Sequence, residues 1–269
     1  PTLNWNTVYN AEGFGIWFGM PSGIVIKDAP NYGNIEQDVV IVSNSEDTAA
    51  KGVEISNSNV GDVTSVIAAQ SRELNAYGIW VDNIGGGSSV GKISGTIEIS
   101  GTAKGTTVYG LIFDGQAASN ASVGLYNAAE KNSNGFDIDW ANANISASAT
   151  KNTQAYNAGN VYGVYSYSNN GREIALDSGI GGNISASNSY GGALGIYAVG
   201  TDFGNLLSSA RISASGMNDT YVAGIQVDGS VSFGDFEKGS EIIATAIDGR
   251  ATGLAINLGS GMGKISSNI

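Results

Sequence analysis

Residues 77–82 read Tyr77-Gly78-Ile79-Trp80-Val81-Asp82: an aromatic residue, a glycine, an aliphatic residue, a variable position, a second apolar residue and an aspartate. The first five positions recur, with substitutions, at Phe14–Phe18, Tyr109–Phe113, Tyr162–Tyr165, Leu194–Ala198, Ala223–Val227 and Thr252–Ile256. The glycines of the last four copies, Gly163, Gly195, Gly224 and Gly253, are 32, 29 and 29 residues apart. A period in this range is typical of a solenoid, in which each repeat buries its apolar side by stacking on its neighbours.

A second pattern lies between copies of the first. It reads Ile145-Ser146-Ala147-Ser148, Ile184-Ser185-Ala186-Ser187, Ile212-Ser213-Ala214-Ser215 and, more loosely, Ile242-Ile243-Ala244-Thr245. Alternation with period two indicates strands with one buried face. In the first pattern it assigns Tyr77, Ile79 and Val81 to one face, and Gly78, Trp80 and Asp82 to the other. Stacked coils would bring Ile145, Ile184, Ile212 and Ile242 into one buried column.

A third and less regular strand accompanies each coil, at Phe136–Trp140, Glu173–Leu176 and Phe203–Leu207. Three short strands joined by Gly, Asn and Ser corners predict an all-β parallel β-helix of about nine coils, estimated from the period. Frequent glycine, valine, isoleucine and threonine disfavour a helical repeat. We expect residues 1–47 to form an N-terminal cap or irregular first coils, and residues 48–269 to form one elongated repeat domain.

The composition excludes several classes of function. The net charge is −12 and the 12 basic residues are scattered, which disfavours a nucleic-acid surface. Cysteine and histidine are absent, so disulfides, cysteine-based zinc sites and the commonest general base are absent too. No apolar stretch is long enough for a membrane-spanning helix. We expect no cofactor.

Two sets of aspartates are candidates for chemistry. Asp137 and Asp139 flank Ile138 and would share an outward face, as a carboxylate pair for glycoside hydrolysis requires. A solvated strand face is the interpretation we favour. Asp82, Asp114 and Asp228 occupy equivalent places in their coils and could offer oxygen ligands to calcium. The alternative is that aspartate suits the turn that follows each strand.

The position after the central aliphatic residue is a candidate binding column. It holds Trp17, Trp80, Ile112, Tyr165 and Tyr197, and then Gln226 and Ala255. An exterior line of large apolar side chains would bind sugar rings or a partner protein. The alternative is that these side chains cover glycine-rich corners or a packed loop.

The repeat style resembles that of the passenger regions of bacterial autotransporters. The resemblance rests on Tyr162-Gly163-Val164-Tyr165 and on Asn144-Ile145-Ser146-Ala147-Ser148, in an acidic, cysteine-free chain rich in Ser, Asn and Gly. It implies a right-handed β-helix that is exported across the outer membrane and displayed at the cell surface or secreted. Protease activity is not implied, because the Gly-Asp-Ser-Gly motif of some passengers is absent.

These observations favour a non-enzymatic stalk or adhesin that binds a surface glycan or protein. A polysaccharide lyase or hydrolase and a purely structural spacer are the alternatives. The repeat stops part-way through a coil after Gly263-Lys264-Ile265-Ser266, which favours a fragment of a longer protein. An uncovered last coil would expose unpaired backbone groups, so we also expect possible self-association through coil ends.

Overall fold

The computed structural model describes residues 9–12, 22–29, 32–36, 40–82, 88–90, 93, 95–101, 107–114, 143–150, 159–167, 174–176, 180–203, 205–217, 221–229, 232–257 and 261–262. Regular secondary structure in these ranges is entirely β-strand, numbered β1 to β22 along the chain. These ranges contain no helix of the length and apolar character needed to cross a membrane.

Two long parallel sheets run the length of the described chain. Sheet 1 contains β1 (Tyr9–Glu12), β3 (Val40–Ser45), β6 (Val66–Ser71), β9 (Thr96–Gly101), β11 (Asn144–Ala149), β14 (Asn183–Asn188), β17 (Arg211–Met217) and β20 (Glu241–Ile247). Sheet 2 contains β2 (Ser22–Lys27), β4 (Ala50–Ser56), β7 (Ala76–Asp82), β10 (Val108–Asp114), β12 (Val161–Tyr167), β15 (Ala193–Val199), β18 (Tyr221–Asp228) and β21 (Arg250–Ile256). Strands of the two sheets alternate along the chain, so the predicted all-β parallel solenoid is confirmed.

The third side of the solenoid is shorter and interrupted. One sheet contains β13 (Ile174–Leu176), β16 (Thr201–Phe203), β19 (Ser232–Phe233) and β22 (Gly261–Met262), and a second contains β5 (Asn59–Val60) and β8 (Ser89–Val90). Isolated bridges, such as Ile180 with Leu206, continue the pairing. An irregular third strand agrees with the prediction at Glu173–Leu176, whereas the predicted Phe203–Leu207 overlaps β16 only at Phe203. The predicted Phe136–Trp140 lies outside the described residues. The coil number differs from the expected nine, because each long sheet has eight strands in the described ranges.

The predicted isoleucine column is confirmed. Ile145, Ile184, Ile212 and Ile242 are partners on successive strands of sheet 1, and none is more than 3 % exposed. The column continues toward the N-terminus through Ile97, Ile67 and Ile41. Each fully buried isoleucine contributes about 1.5–3 kcal/mol, so stability is the sum of many similar contributions.

Glycine determines how sheet 2 packs on sheet 1. A Cβ on Gly163 would lie 2.6 Å from Cγ2 of Ile184, so this glycine faces the isoleucine column. Gly78 faces Ile97 and Ile99 in the same way, and the next residue, Ile79, is also fully buried in the core. Two successive residues therefore face inward, and the alternation breaks at the glycine. The predicted inward orientation of Tyr77 is wrong: its ring stacks on Trp80, outside the core.

Asparagine side chains at four corners connect one coil to the next. The Oδ1 atom of Asn75 accepts a hydrogen bond from the backbone N–H of Thr107 at 3.1 Å, and Asn160 does the same for Gly192 at 3.2 Å. Asn34 and Asn205 make the equivalent contact on the third side, each at 2.9 Å. A side-chain carbonyl thus satisfies a donor that corner geometry leaves without a strand partner.

Candidate functional site

The outer face of sheet 2 carries three neighbouring columns of side chains, fixed by the strand register. The first column is Lys51, Tyr77, Tyr109, Tyr162, Leu194, Ala223 and Thr252. The second is Glu54, Trp80, Ile112, Tyr165, Tyr197, Gln226 and Ala255. The third is Ser56, Asp82, Asp114, Tyr167, Val199 and Asp228. We call the set Tyr77, Trp80, Tyr109, Ile112, Tyr162, Tyr165 and Tyr197 the aromatic face.

The rings of the aromatic face contact one another from coil to coil. Tyr77 and Tyr109 are parallel, with centroids 5.2 Å apart, and Tyr109 and Tyr162 repeat this stacking at 5.2 Å. Tyr165 lies edge-on to Tyr109 and Tyr162, at 5.3 and 5.0 Å. Tyr197 continues the cluster at 5.5 Å from Tyr165. Stacked and edge-to-face pairs are the favoured aromatic geometries, so the rings form one ordered surface across β7, β10, β12 and β15.

The described residues of the predicted binding column lie next to one another in sheet 2. Trp80, Ile112, Tyr165 and Tyr197 are partners on consecutive strands. The three aromatic members are partly exposed, whereas Ile112 is only 5 % exposed and packs among the rings. Trp17 lies outside the described residues. Ligand binding by this column stays a prediction.

Sequence reasoning missed the first column of the face. Strict alternation places Tyr77 on the side of Ile79 and Val81, and the same rule would turn Tyr109 and Tyr162 inward too. The segment Lys51-Gly52-Val53-Glu54 carries the signal that could have corrected this, since Lys51 occupies the position of Tyr77. A lysine facing an apolar core is very costly, so that position had to face outward.

Burial keeps the tyrosine hydroxyls protonated. It raises the pKa of Tyr109 and Tyr165 well above the ordinary value, and neighbouring tyrosines add to the effect. Burial also raises the pKa of Tyr77 and Tyr162, partly offset by hydrogen bonds from the side-chain amides of Asn75 and Asn160. Those bonds measure 3.0 and 2.9 Å. At neutral pH the face therefore presents uncharged rings with hydroxyl groups.

A lysine closes one end of the aromatic face. Lys51 is only 5 % exposed, its Nζ lies 2.8 Å from Oε2 of Glu54, and the same atom lies 3.6 Å from the centroid of Trp80. The ammonium thus binds a ring face and a carboxylate together, a cation–π arrangement that is strengthened by partial desolvation.

The carboxylate of Asp228 lies at the other end of the aromatic face, beyond Tyr197. Asp228 accepts hydrogen bonds from Nε2 of Gln226 at 3.0 Å and from Nδ2 of Asn257. The Tyr197 hydroxyl also forms a hydrogen bond with Asp228. Burial is the larger cause of the raised pKa of Tyr197, and this hydrogen bond is the next. Burial and the neighbouring Tyr162 are larger causes of the raised pKa of Tyr109 and Tyr165, and the negative charge of Asp114 adds to them. Carboxylates therefore border the rings at both ends and along one side.

The three aspartates proposed as calcium ligands occupy one column of the strand register but not three adjacent strands. Asp82 and Asp114 are direct partners, whereas Tyr167 and Val199 separate Asp114 from Asp228. In the part of the chain that the structure describes, no group of three or more acidic residues is placed to hold a metal ion. Calcium binding by Asp82, Asp114 and Asp228 stays a prediction.

A separate polar groove of about 340 Å³ lies on the outer face of sheet 1. Its lining includes Asn44, Gln70, Glu98, Ser100, Ser146 and Ser148. Glu98 is the one carboxylate in this lining, whereas glycoside hydrolysis generally requires two. Asp137 and Asp139, the predicted carboxylate pair, lie outside the described residues.

No known protein family matches this sequence, and neither the curated proteins nor the solved structures include a significant match to it.

Proposed function

We propose that this protein is a non-catalytic binding module, a stalk or adhesin displayed at a cell surface or secreted. It would contact glycans or proteins of a host or neighbouring cell. One observation carries the proposal: the aromatic face is continuous across four adjacent strands on the outside of the solenoid. Clusters of aromatic side chains that remain partly accessible are enriched where proteins bind ligands and partners.

The packing of the face supports a binding role. Each ring is held by rings of adjacent coils, and the hydroxyls of Tyr77 and Tyr162 are fixed by asparagine side chains. Such side chains lose little conformational entropy when a ligand arrives, so more of the contact energy is available for affinity. Tyrosine adds hydrogen-bonding hydroxyls to an apolar ring, a combination that suits both sugar rings and protein surfaces.

Export and the absence of catalysis are parts of the same proposal. A chain without cysteine or histidine lacks a thiol nucleophile and the commonest general base. The resemblance of the repeats to autotransporter passengers supports export to the cell surface.

The test compares binding of the purified protein with that of a double variant, Tyr165→Ala with Tyr197→Ala, on a glycan array and on immobilised cell-surface extracts. We expect the double variant to bind at least tenfold more weakly to each glycan or extract component that the native protein binds. Tyr190→Ala, which changes a partly buried tyrosine outside the face, is the matched control. Equal binding by all three proteins would contradict the proposal. Release of oligosaccharides from the arrayed glycans would contradict its non-catalytic part.

A further inference from the structure

The contact between Lys51 and Trp80 shows what kind of group the aromatic face accepts. The ammonium lies 3.6 Å from the ring centroid and 2.8 Å from a carboxylate oxygen of Glu54, a residue in the same column as Trp80. A side chain of this protein thus places a primary amine on the first ring of the second column. The remaining rings have no such occupant from their own columns.

Charge along the face favours further cations. On β7, β10, β12, β15 and β18, the three columns contain no lysine or arginine, whereas Asp114 and Asp228 place carboxylates in the third column. The faces of aromatic rings are negative, and the carboxylates add to this potential. The whole chain carries a net charge of −12. An anionic ligand would be repelled from this surface, and a cationic one attracted.

Spacing selects the kind of cationic ligand. Equivalent side chains on neighbouring strands repeat at about 4.8 Å along the solenoid axis. An extended chain of 1,4-linked pyranose sugars advances by nearly the same distance per ring. In an extended polypeptide, side chains on one face recur about every 6.6 Å, out of step with the coils.

We propose that the aromatic face binds a linear, amine-bearing polysaccharide whose chain runs parallel to the solenoid axis. Sugar rings stack on Tyr165 and Tyr197, and their protonated amines lie toward Asp114 and Asp228, the third-column carboxylates of the strands on either side. The inference rests on the proposed function, since it names the ligand class of the same surface.

The test uses three hexamers with the same β-1,4 linkage: glucosamine, N-acetylglucosamine and glucose. Binding is measured by calorimetry at a pH at which the glucosamine amines are protonated. We expect the glucosamine hexamer to bind at least tenfold more tightly than the other two. Polylysine of equal charge serves as the polypeptide arm, and we expect it to bind more weakly than the glucosamine hexamer.

Variants separate local recognition from bulk charge. Asp114→Asn should weaken glucosamine-hexamer binding at least threefold. Asp248→Asn makes the same change of charge at an exposed corner and should leave the binding unchanged. Tyr165→Leu should weaken the binding too. It takes the place of Asp114→Asn if circular dichroism shows that the Asp114 variant does not fold.

The inference is overturned if the uncharged hexamers bind as tightly as glucosamine, although binding by the aromatic face then stands. It is also overturned if polylysine binds more tightly, or if Asp248→Asn matches Asp114→Asn. Failure of all the hexamers, while other ligands still depend on Tyr165 and Tyr197, overturns the inference and leaves the proposed function intact.

Discussion

Gly163 and Gly195 occupy equivalent positions in adjacent coils, and a Cβ on Gly163 would lie 2.6 Å from the carbonyl oxygen of Gly195. The same added atom would lie 2.6 Å from Cγ2 of Ile184. One obstacle is backbone and the other is a core side chain, so neither can move without disturbing the stack. This position is glycine because two coils approach each other there, not because a turn needs it.

Gly163→Ala should therefore destabilise the protein by about 1–3 kcal/mol, the range typical of overpacking a filled core. Guanidinium unfolding followed by circular dichroism measures the effect. Ser215→Ala, at an exposed strand position, is the control and should change the free energy of unfolding by less than about 0.5 kcal/mol. Equal stability of the two variants would show that the coils can separate locally at little cost.

The cation–π contact predicts energetic coupling between Lys51 and Trp80. A double-mutant cycle of Lys51→Met and Trp80→Leu should give a coupling energy of about 0.5–2 kcal/mol in the free energy of unfolding. A second cycle pairs Lys51→Met with Tyr190→Leu and should be additive, because Tyr190 lies outside the aromatic face. Additivity in both cycles would mean that the lysine is held by Glu54 alone.

The tyrosines of the aromatic face predict how stability depends on alkaline pH. Their pKa is raised in the folded state, chiefly by burial, while unfolded tyrosine ionises near pH 10. Above about pH 10 unfolding releases protons, so the free energy of unfolding should fall as pH increases further. Unfolding curves at stepped pH check this slope. Tyr165→Phe should make it shallower, and identical slopes for the two proteins would refute the prediction.

The last described coil predicts association between molecules. Among the described strands, β20 and β21 each have a neighbour on one side only, and Ile243, Ile247 and Ile256 are 51, 56 and 44 % exposed. Unpaired parallel edges with apolar side chains favour pairing with another chain. Sedimentation velocity should show concentration-dependent association, reduced by Ile247→Lys. Leu74→Lys alters an apolar side chain of similar exposure elsewhere and should not reduce it. A monomer at every concentration would contradict the prediction.

The isoleucine column could be predicted from sequence because its alternation is strict. In Ile184-Ser185-Ala186-Ser187 each small polar residue marks the outward side, so the buried face follows from a period of two. Tyr77 could not be placed in this way. Gly78 and Ile79 both face inward. Glycine has no side chain, so the pattern of apolar residues does not show that it faces the core.

The geometry of the candidate site depends on contacts between coils, which local sequence does not encode. Ile112 is buried because Tyr77 and Trp80 on the neighbouring strand are large and pack with it. Asp114 and Asp228 look equivalent in sequence, yet Tyr167 and Val199 lie between them in the column. Spacing along the chain gives a residue's position within a coil, but proximity requires knowing which coils are adjacent.

On the sheet 2 side the asparagine corners occur in alternate coils, at Asn75 and Asn160, whereas Thr107 and Gly192 hold the equivalent positions in the coils that follow them. Asn75 with Thr107 and Asn160 with Gly192 are interchangeable fastenings, since both hold a backbone N–H of the following coil. Duplicating or deleting such a pair of coils would therefore keep this bond within each pair. The length of the aromatic face, and of the ligand it spans, could then change by whole units during evolution without a new fold.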